Sequence, residues 1–148
     1  MSINISLSII KELTKFRLTI SVVFSSFISY YLGASEVNLI QLFYLIAGGI
    51  LIVSSSNIFN QIIERDLDKL MKRTQNRPLP KKEITPKLAL FIAILSALIG
   101  LIFMYLINLK VAILAALSIF LYTAVYTPMK LIRVEMLQEL EQEPHIRD

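Results

Sequence analysis

The chain has 148 residues, of which 55% are hydrophobic, and it carries a formal net charge of +4 and no cysteine. Its mean hydropathy is +0.66, and its apolar residues stand in long, nearly charge-free runs that a soluble domain would not contain. The lack of cysteine excludes disulfides and thiolate metal sites. The positive charge is confined to short segments beside the apolar runs, so it does not indicate binding to nucleic acid.

Apolar residues recur at helical spacing between Ile3 and Phe16, beside Lys11 and Lys15. This pattern predicts an amphipathic helix that lies on the membrane surface before the chain enters the bilayer. A frayed cytosolic end fits the same pattern equally well.

Four apolar stretches predict transmembrane helices, and they cover residues 18–32, 39–63, 88–107 and 111–126. Crossing the hydrocarbon core takes roughly 20 apolar residues. The second and third stretches reach this length, whereas the first and fourth need flanking tyrosines at the interface. The predicted fold is an all-α, multi-pass bundle of about four spans in the lipid bilayer.

Basic residues are unevenly divided among the connecting segments. Three precede the first span, eight lie within residues 65–87, and two (Lys130 and Arg133) come directly after the fourth span, whereas the other two loops contain one lysine between them. By the positive-inside rule, both termini and the 65–87 loop are predicted to be cytoplasmic. The predicted location is the cell membrane (inner or plasma membrane).

The second apolar stretch leads directly into a cluster of polar residues. If its helix continues, Asn60, Glu64 and Asp68 recur every four residues and form one stripe. An amide oxygen and two carboxylates are the hard ligands that Mg²⁺ prefers. Asn57 lies inside the apolar stretch, where polar groups are costly and are commonly retained for function. Asp66 points away from this stripe, so we expect it to be a supporting ligand or a partner for neighbouring bases.

The alternative interpretation of this stripe is a solvated helix end. Its acids would then pair with Arg65, Lys69 and Lys72, each pair contributing only tenths of a kcal/mol. The residues that follow favour a functional role, because a cationic loop begins at once. Metal ligands and anion-binding groups would thus be adjacent in the sequence.

The cationic loop contains Lys72, Arg73 and Arg77, and topology alone would demand basic residues there. Arg77 is followed by Pro78-Leu79-Pro80, and each proline favours extended geometry in the residue before it. This predicts a stiff segment in which Arg77 is held in place, as bidentate binding of a phosphate group would require.

The fourth span closes with Tyr122, Tyr126, Thr127 and Pro128, followed by Lys130. An aromatic belt with a helix stop explains this pattern most simply. If the helices pack together, Lys130 would face the same surface as the acidic stripe.

These blocks resemble known sequences. Asn60-x-x-x-Glu64-x-x-x-Asp68, with the Met71 to Pro80 segment after it, resembles the first aspartate-rich motif of the UbiA-type prenyltransferase superfamily. Leu13 to Thr19 and Val125 to Lys130 are similar to its protoheme IX farnesyltransferase branch, the haem O synthases. The resemblance covers the chain from about Leu13 to Lys130.

The resemblance implies transfer of a farnesyl group from farnesyl diphosphate to a vinyl group of haem B, giving haem O. It implies a catalytic Mg²⁺ site formed by Asn60, Glu64 and Asp68. The substrate-binding residues that it implies are Asn57, Lys72, Arg73, Arg77 and Lys130. No side-chain nucleophile is needed for this chemistry.

The chain also departs from the family pattern, because members have further spans and a second acidic motif. We therefore interpret residues 1–130 as the N-terminal half of the prenyltransferase domain and residues 131–148 as a polar, disordered tail. On this interpretation the chain alone is not expected to make haem O. An inactive remnant or a non-catalytic membrane assembly partner is the alternative, and a small transporter is disfavoured because no span has an ionisable residue near its middle.

Overall fold

The computed structural model describes residues 6–129 together with residues 132 and 136. This part of the chain is helical and contains no strand, so the predicted all-α class is confirmed. The helices in chain order are α1 (Leu7–Leu13), α2 (Phe16–Gly33), α3 (Leu39–Leu70), α4 (Pro86–Ile107) and α5 (Leu109–Phe120), with a π-helical segment (Leu121–Tyr126) continuing α5. The predicted tail, apart from residues 132 and 136, and the domain boundary at residue 130 lie outside the described residues.

Four helices are long and apolar enough to cross a membrane. They are Phe16–Gly33, Leu39–Leu70, Pro86–Ile107 and Leu109–Met129. Each contains one of the four predicted apolar stretches in full, so the prediction of a multi-pass membrane protein is confirmed. Helix α3 runs seven residues beyond the end of the predicted 39–63 span, and residues 65–70 are therefore helix rather than loop.

Side chains at the helix ends explain where the helices begin. Asn38 caps α3 by accepting hydrogen bonds from the backbone N–H groups of Ile40 and Gln41 at 3.0 and 3.2 Å. Asn108 caps α5 in the same way, and the Thr85 hydroxyl caps α4 ahead of a proline at its first position. These are the preferred residues for helix starts, because they satisfy backbone donors that have no partner within the helix.

Helix α3 lies at the centre and contacts α1, α2, α4, α5 and the π-helical segment. Glycines let α3 and α4 approach closely: a Cβ on Gly100 would lie 3.0 Å from the Ile52 side chain, and one on Gly48 3.0 Å from Phe103 Cβ. The Ser55 hydroxyl also donates to the Ala93 carbonyl across this contact at 2.9 Å. Small residues and interhelical hydrogen bonds are the usual means of helix association in membranes.

The buried apolar core is concentrated at one end of the bundle. It joins the end of α1, the second half of α3, the loop after α3 and the start of α4, through Leu13, Ile58, Leu79, Ile84, Ala89 and Ala93. Elsewhere large apolar side chains such as Phe24, Phe91 and Leu114 are exposed, as expected for helices surrounded by lipid. The core therefore lies beside the polar end of α3.

Candidate functional site

The predicted stripe on α3 exists, and it is buried. The helix continues to Leu70, and Asn60, Glu64 and Asp68 have only 1%, 3% and 3% of their surface exposed. A solvated helix face is therefore excluded for these residues. Burying a carboxylate costs free energy unless the charge is paired, so the role of the stripe depends on which groups contact its acids.

Arg77 pairs with both acids of the stripe. Its Nη1 donates to Asp68 Oδ2 at 2.6 Å and lies 3.4 Å from Glu64 Oε2. Two of the three partners that the solvated-face interpretation suggested pair elsewhere, since Lys69 and Arg65 contact Asp66 at 2.8 and 3.5 Å. Asp66 is exposed and points away from the stripe, as expected. The sequence neighbours thus form a surface pair, and the residue from the loop forms the buried one.

The loop after α3 is held by buried residues, which explains how Arg77 reaches the acids. The Thr74 hydroxyl donates to the Asp68 carbonyl at 3.2 Å, closing the turn at the helix end. Pro78 and Leu79 are buried, and the Pro78 carbonyl accepts a hydrogen bond from the Glu83 N–H at 2.9 Å. The prediction that Arg77 is held in place is consistent with this anchoring of the two residues that follow it.

Thr127 adds a member of the site that the sequence interpretation missed. Its hydroxyl lies 2.8 Å from Asn60 Oδ1 and 2.9 Å from the Tyr122 carbonyl oxygen, so it can donate to either. The Thr127 N–H also donates to the Tyr122 carbonyl, as the wider π-helical turn permits. The available signal was a polar residue before proline at the end of an apolar span, which we interpreted only as a helix stop.

Asn60 links Thr127 to the acids. Its Nδ2 donates to Glu64 Oε2 at 3.3 Å while its Oδ1 accepts from Thr127. The two contacts together set the orientation of the amide, because the reverse orientation would place its oxygen against a carboxylate. A continuous network therefore runs from Thr127 through Asn60 and Glu64 to Arg77 and Asp68.

Asn57 lies one turn before Asn60 and contacts the N-terminal helix. Its Nδ2 donates to the Thr14 carbonyl at 3.0 Å. Gln61 donates from Nε2 to the Leu13 and Glu12 carbonyls at 2.8 and 3.1 Å. These amides add side-chain hydrogen bonds to carbonyls at the C-terminal end of α1 and at its cap, where a helix supplies few partners of its own. Helix α1 is thus fixed to α3, while the substrate-binding role of Asn57 stays a prediction.

The other predicted cations are placed differently from Arg77. Lys72 and Arg73 are exposed in the turn after α3, and neither forms an ion pair with an acid among the residues that the structure describes. Lys130 lies outside the described residues. Of the predicted anion-binding groups, the structure therefore brings Arg77 to the stripe.

The stripe supplies some, but not all, of the oxygen ligands that a divalent cation would need. Two carboxylates and one amide oxygen are hard donors of the kind that Mg²⁺ takes, and a cationic group already lies between the carboxylates. No group of three or more His, Cys, Asp or Glu side chains that could hold a metal occurs in the described portion. A metal bound here would need further oxygen ligands from outside the protein.

An apolar groove lies between α3, α4, α5 and the π-helical segment. Its volume is about 390 Å³, and its walls include Phe59, Leu98, Leu101, Phe120 and Thr123. Phe59 is adjacent to Asn60 in the chain, and Thr123 lies in the turn before Thr127. The groove thus begins beside the polar network and has room for a hydrocarbon chain.

Comparison with known proteins gives one family. The model of the UbiA prenyltransferase family matches residues 22–135. The protoheme IX farnesyltransferase of Christiangramia forsetii is 51% identical over 124 residues, which are 84% of this chain and 41% of the relative. That of Flavobacterium psychrophilum is 50% identical over 123 residues (81% and 41%), and that of Listeria welshimeri 37% over 90 residues (61% and 30%).

The chain spans about two fifths of the length of the first of these curated relatives. No solved structure matches it significantly. The family match covers more than half of the chain and includes the whole network from Asn60 to Thr127. With its four membrane-length helices and this buried acidic stripe, the chain belongs to the UbiA prenyltransferase family.

Proposed function

We propose that this chain binds a prenyl diphosphate together with Mg²⁺ and takes part in the transfer of a farnesyl group to haem B. The observation that carries the proposal is the buried stripe of Asn60, Glu64 and Asp68, with Arg77 between its acids. The names of the similar proteins support farnesyl as the transferred group and protoheme IX as its acceptor.

The metal would be held by the oxygen atoms of Asn60, Glu64 and Asp68. These are too few ligands to strip Mg²⁺ of its water, so diphosphate oxygens complete the shell. The bound ion would supply electrostatic stabilisation of the leaving diphosphate. Arg77, Lys72, Arg73 and Lys130 are the proposed cationic contacts to the diphosphate, and Asn57 is a further proposed substrate contact.

The proposed reaction consumes farnesyl diphosphate, haem B and water, and it yields haem O and diphosphate. The bond between the allylic carbon and the diphosphate oxygen breaks, and the electron pair leaves with the diphosphate. The vinyl group of haem B forms the new carbon–carbon bond, and water adds a hydroxyl group at the remaining vinyl carbon while releasing a proton. The apolar groove beside Phe59 would hold the farnesyl chain and exclude water from the allylic cation.

The proposed location is the inner or plasma membrane, with both termini and residues 65–87 on the cytoplasmic side. The distribution of Lys and Arg supports this orientation. The site would then lie at the cytoplasmic surface, where a water-soluble diphosphate is released.

Binding is tested by calorimetry with a non-hydrolysable farnesyl diphosphate analogue in the presence of Mg²⁺. Asp68→Ala and Glu64→Ala are expected to abolish Mg²⁺-dependent binding, because each removes a proposed metal ligand. Asp66→Ala is the matched control, since this acid points away from the stripe, and its binding should match the wild type. Unchanged binding in both stripe variants would refute the proposed site.

The acceptor is tested with a chimera. Residues 1–129 replace the matching segment of the Christiangramia forsetii relative, and haem O is measured by mass in a strain that lacks its own haem O synthase. We expect haem O from the chimera and none from the same chimera with Asp68→Asn. A well-expressed chimera that makes no haem O would contradict the proposed reaction.

A further inference from the structure

One nitrogen atom of Arg77 lies where a bound cation would contact both acids. Nη1 is 2.6 Å from Asp68 Oδ2 and 3.4 Å from Glu64 Oε2. We propose that Arg77 and a divalent cation compete for these two carboxylates, and that a diphosphate resolves the competition by drawing the guanidinium away. This inference rests on the metal and diphosphate binding described under the proposed function.

The competition follows from charge. Two cations that share the same pair of carboxylates repel each other strongly where little water screens them, and the side chains of both acids are only 4% exposed. Among the described residues, the hydrogen bonds of the stripe other than those of Arg77 come from the neutral side chains of Asn60 and Thr127. A divalent cation therefore binds well only after the Arg77 side chain has left the acids.

Arg77 is placed so that its side chain can leave without unfolding the loop. The side chain is 23% exposed, so it approaches the acids from the solvent side. The backbone stays fixed, because Pro78 and Leu79 are buried in the core. Movement of the guanidinium alone is sufficient for the exchange.

A diphosphate gives the guanidinium a new partner. Arginine binds phosphate oxygens in the same bidentate manner as it binds carboxylate oxygens. The contact with the diphosphate therefore replaces the ion pair that Arg77 loses. The vacated acids then accept the metal, whose remaining ligands come from the same diphosphate. Metal and diphosphate consequently bind with positive coupling, and each raises the affinity for the other.

The test measures Mn²⁺ binding to the full chain in detergent by equilibrium dialysis, with and without inorganic pyrophosphate. We expect the wild type to bind Mn²⁺ weakly alone and tightly with pyrophosphate. Arg77→Gln should bind Mn²⁺ alone about tenfold more tightly than the wild type, a change within the usual range for coupled sites. The gain caused by pyrophosphate should shrink in the same variant. A purely structural role of Arg77 predicts the opposite sign, namely weaker Mn²⁺ binding.

Lys81→Gln is the matched control. It removes the same charge from the same loop, but Lys81 is exposed and contacts neither acid. Its Mn²⁺ affinity should equal that of the wild type, and a gain as large as that of Arg77→Gln would overturn the proposal. A folded Arg77→Gln protein that binds Mn²⁺ no more tightly than the wild type would overturn it as well.

Should Arg77→Gln fail to fold, as judged by its helical ellipticity, Arg77→Lys decides the question. Lysine keeps the charge but offers one compact ammonium group, so its hold on two carboxylates is weaker and Mn²⁺ binding should be intermediate. Wild-type affinity in Arg77→Lys would refute the competition.

These measurements use neither a prenyl group nor haem, so they fail independently of the transfer reaction. Exchange at Arg77 without haem O from the chimera would refute the reaction and leave this inference standing. An active chimera with no gain of Mn²⁺ affinity in either Arg77 variant would refute this inference and leave the proposed reaction standing.

Discussion

Replacing Asp68 with asparagine tests whether the buried ion pair stabilises the end of the bundle. The change removes the carboxylate nearest to Arg77, whose Nη1 lies 2.6 Å from Asp68 Oδ2. The guanidinium then keeps only Glu64, at 3.4 Å. The buried charge of Arg77 is then only partly compensated, and this end of the bundle should be less stable against unfolding.

The expected magnitude follows from burial. Breaking a buried ion pair by removing one partner costs about 3–5 kcal/mol, because the remaining charge is left uncompensated. Arg77 is 23% exposed and retains Glu64, so water and the second acid offset part of this cost. We expect Asp68→Asn to lower the free energy of unfolding by about 2–3 kcal/mol.

Asp66→Asn provides the matched control two residues away. The same chemical change is made there to a side chain that is 71% exposed and pairs only with Lys69 and Arg65. Exposed pairs contribute little, so no measurable change is expected. Unfolding in mixed micelles, followed by far-ultraviolet circular dichroism, measures both variants. Equal losses in the two variants, or no loss in Asp68→Asn, would refute the argument from burial.

Three further predictions concern packing and topology. Thr127→Val should lower the free energy of unfolding by about 1 kcal/mol, as typical for a hydrogen bond within a membrane bundle, because Asn60 Oδ1 loses its donor. Thr127→Ser should lower the free energy of unfolding less, and equal unfolding curves for the valine variant, the serine variant and the wild type would contradict this prediction. Gly100→Ala should destabilise the α3–α4 contact, because its Cβ would lie 3.0 Å from the Ile52 side chain. Gly49→Ala should be tolerated, since its Cβ would meet only ordinary contacts. Equal melting temperatures for these two variants would count against this prediction. A cysteine at Gln75 should resist labelling by an impermeant reagent added from outside, and labelling there would reverse the proposed orientation.

Much of the fold can be predicted from the sequence, because the bilayer imposes simple requirements. Each span needs a long apolar run, since lipid offers no partners for exposed backbone groups. The four predicted spans accordingly match the four long helices. The spacing of Asn60, Glu64 and Asp68 also predicted a common stripe, because positions four apart share one face of any α-helix.

The partners of that stripe were decided by the tertiary structure. Charge spacing along a helix offered Arg65 and Lys69 as partners, but the buried acids contact Arg77 from the following loop. Thr127 lies 67 residues from Asn60 in the chain, and their hydrogen bond depends on how the π-helical segment packs against α3.

Local sequence thus determined which residues form helices and which faces those helices have. It did not determine which faces meet, because the periodicity of one helix contains no information about the rotation and depth of its neighbour. For Arg77, the burial of Leu79 and Ile84 of the same loop in the core fixes where the loop lies relative to α3. The close approach of α3 to the end of the fourth span supplied it for Thr127, and with these two contacts a row of polar residues became a buried network.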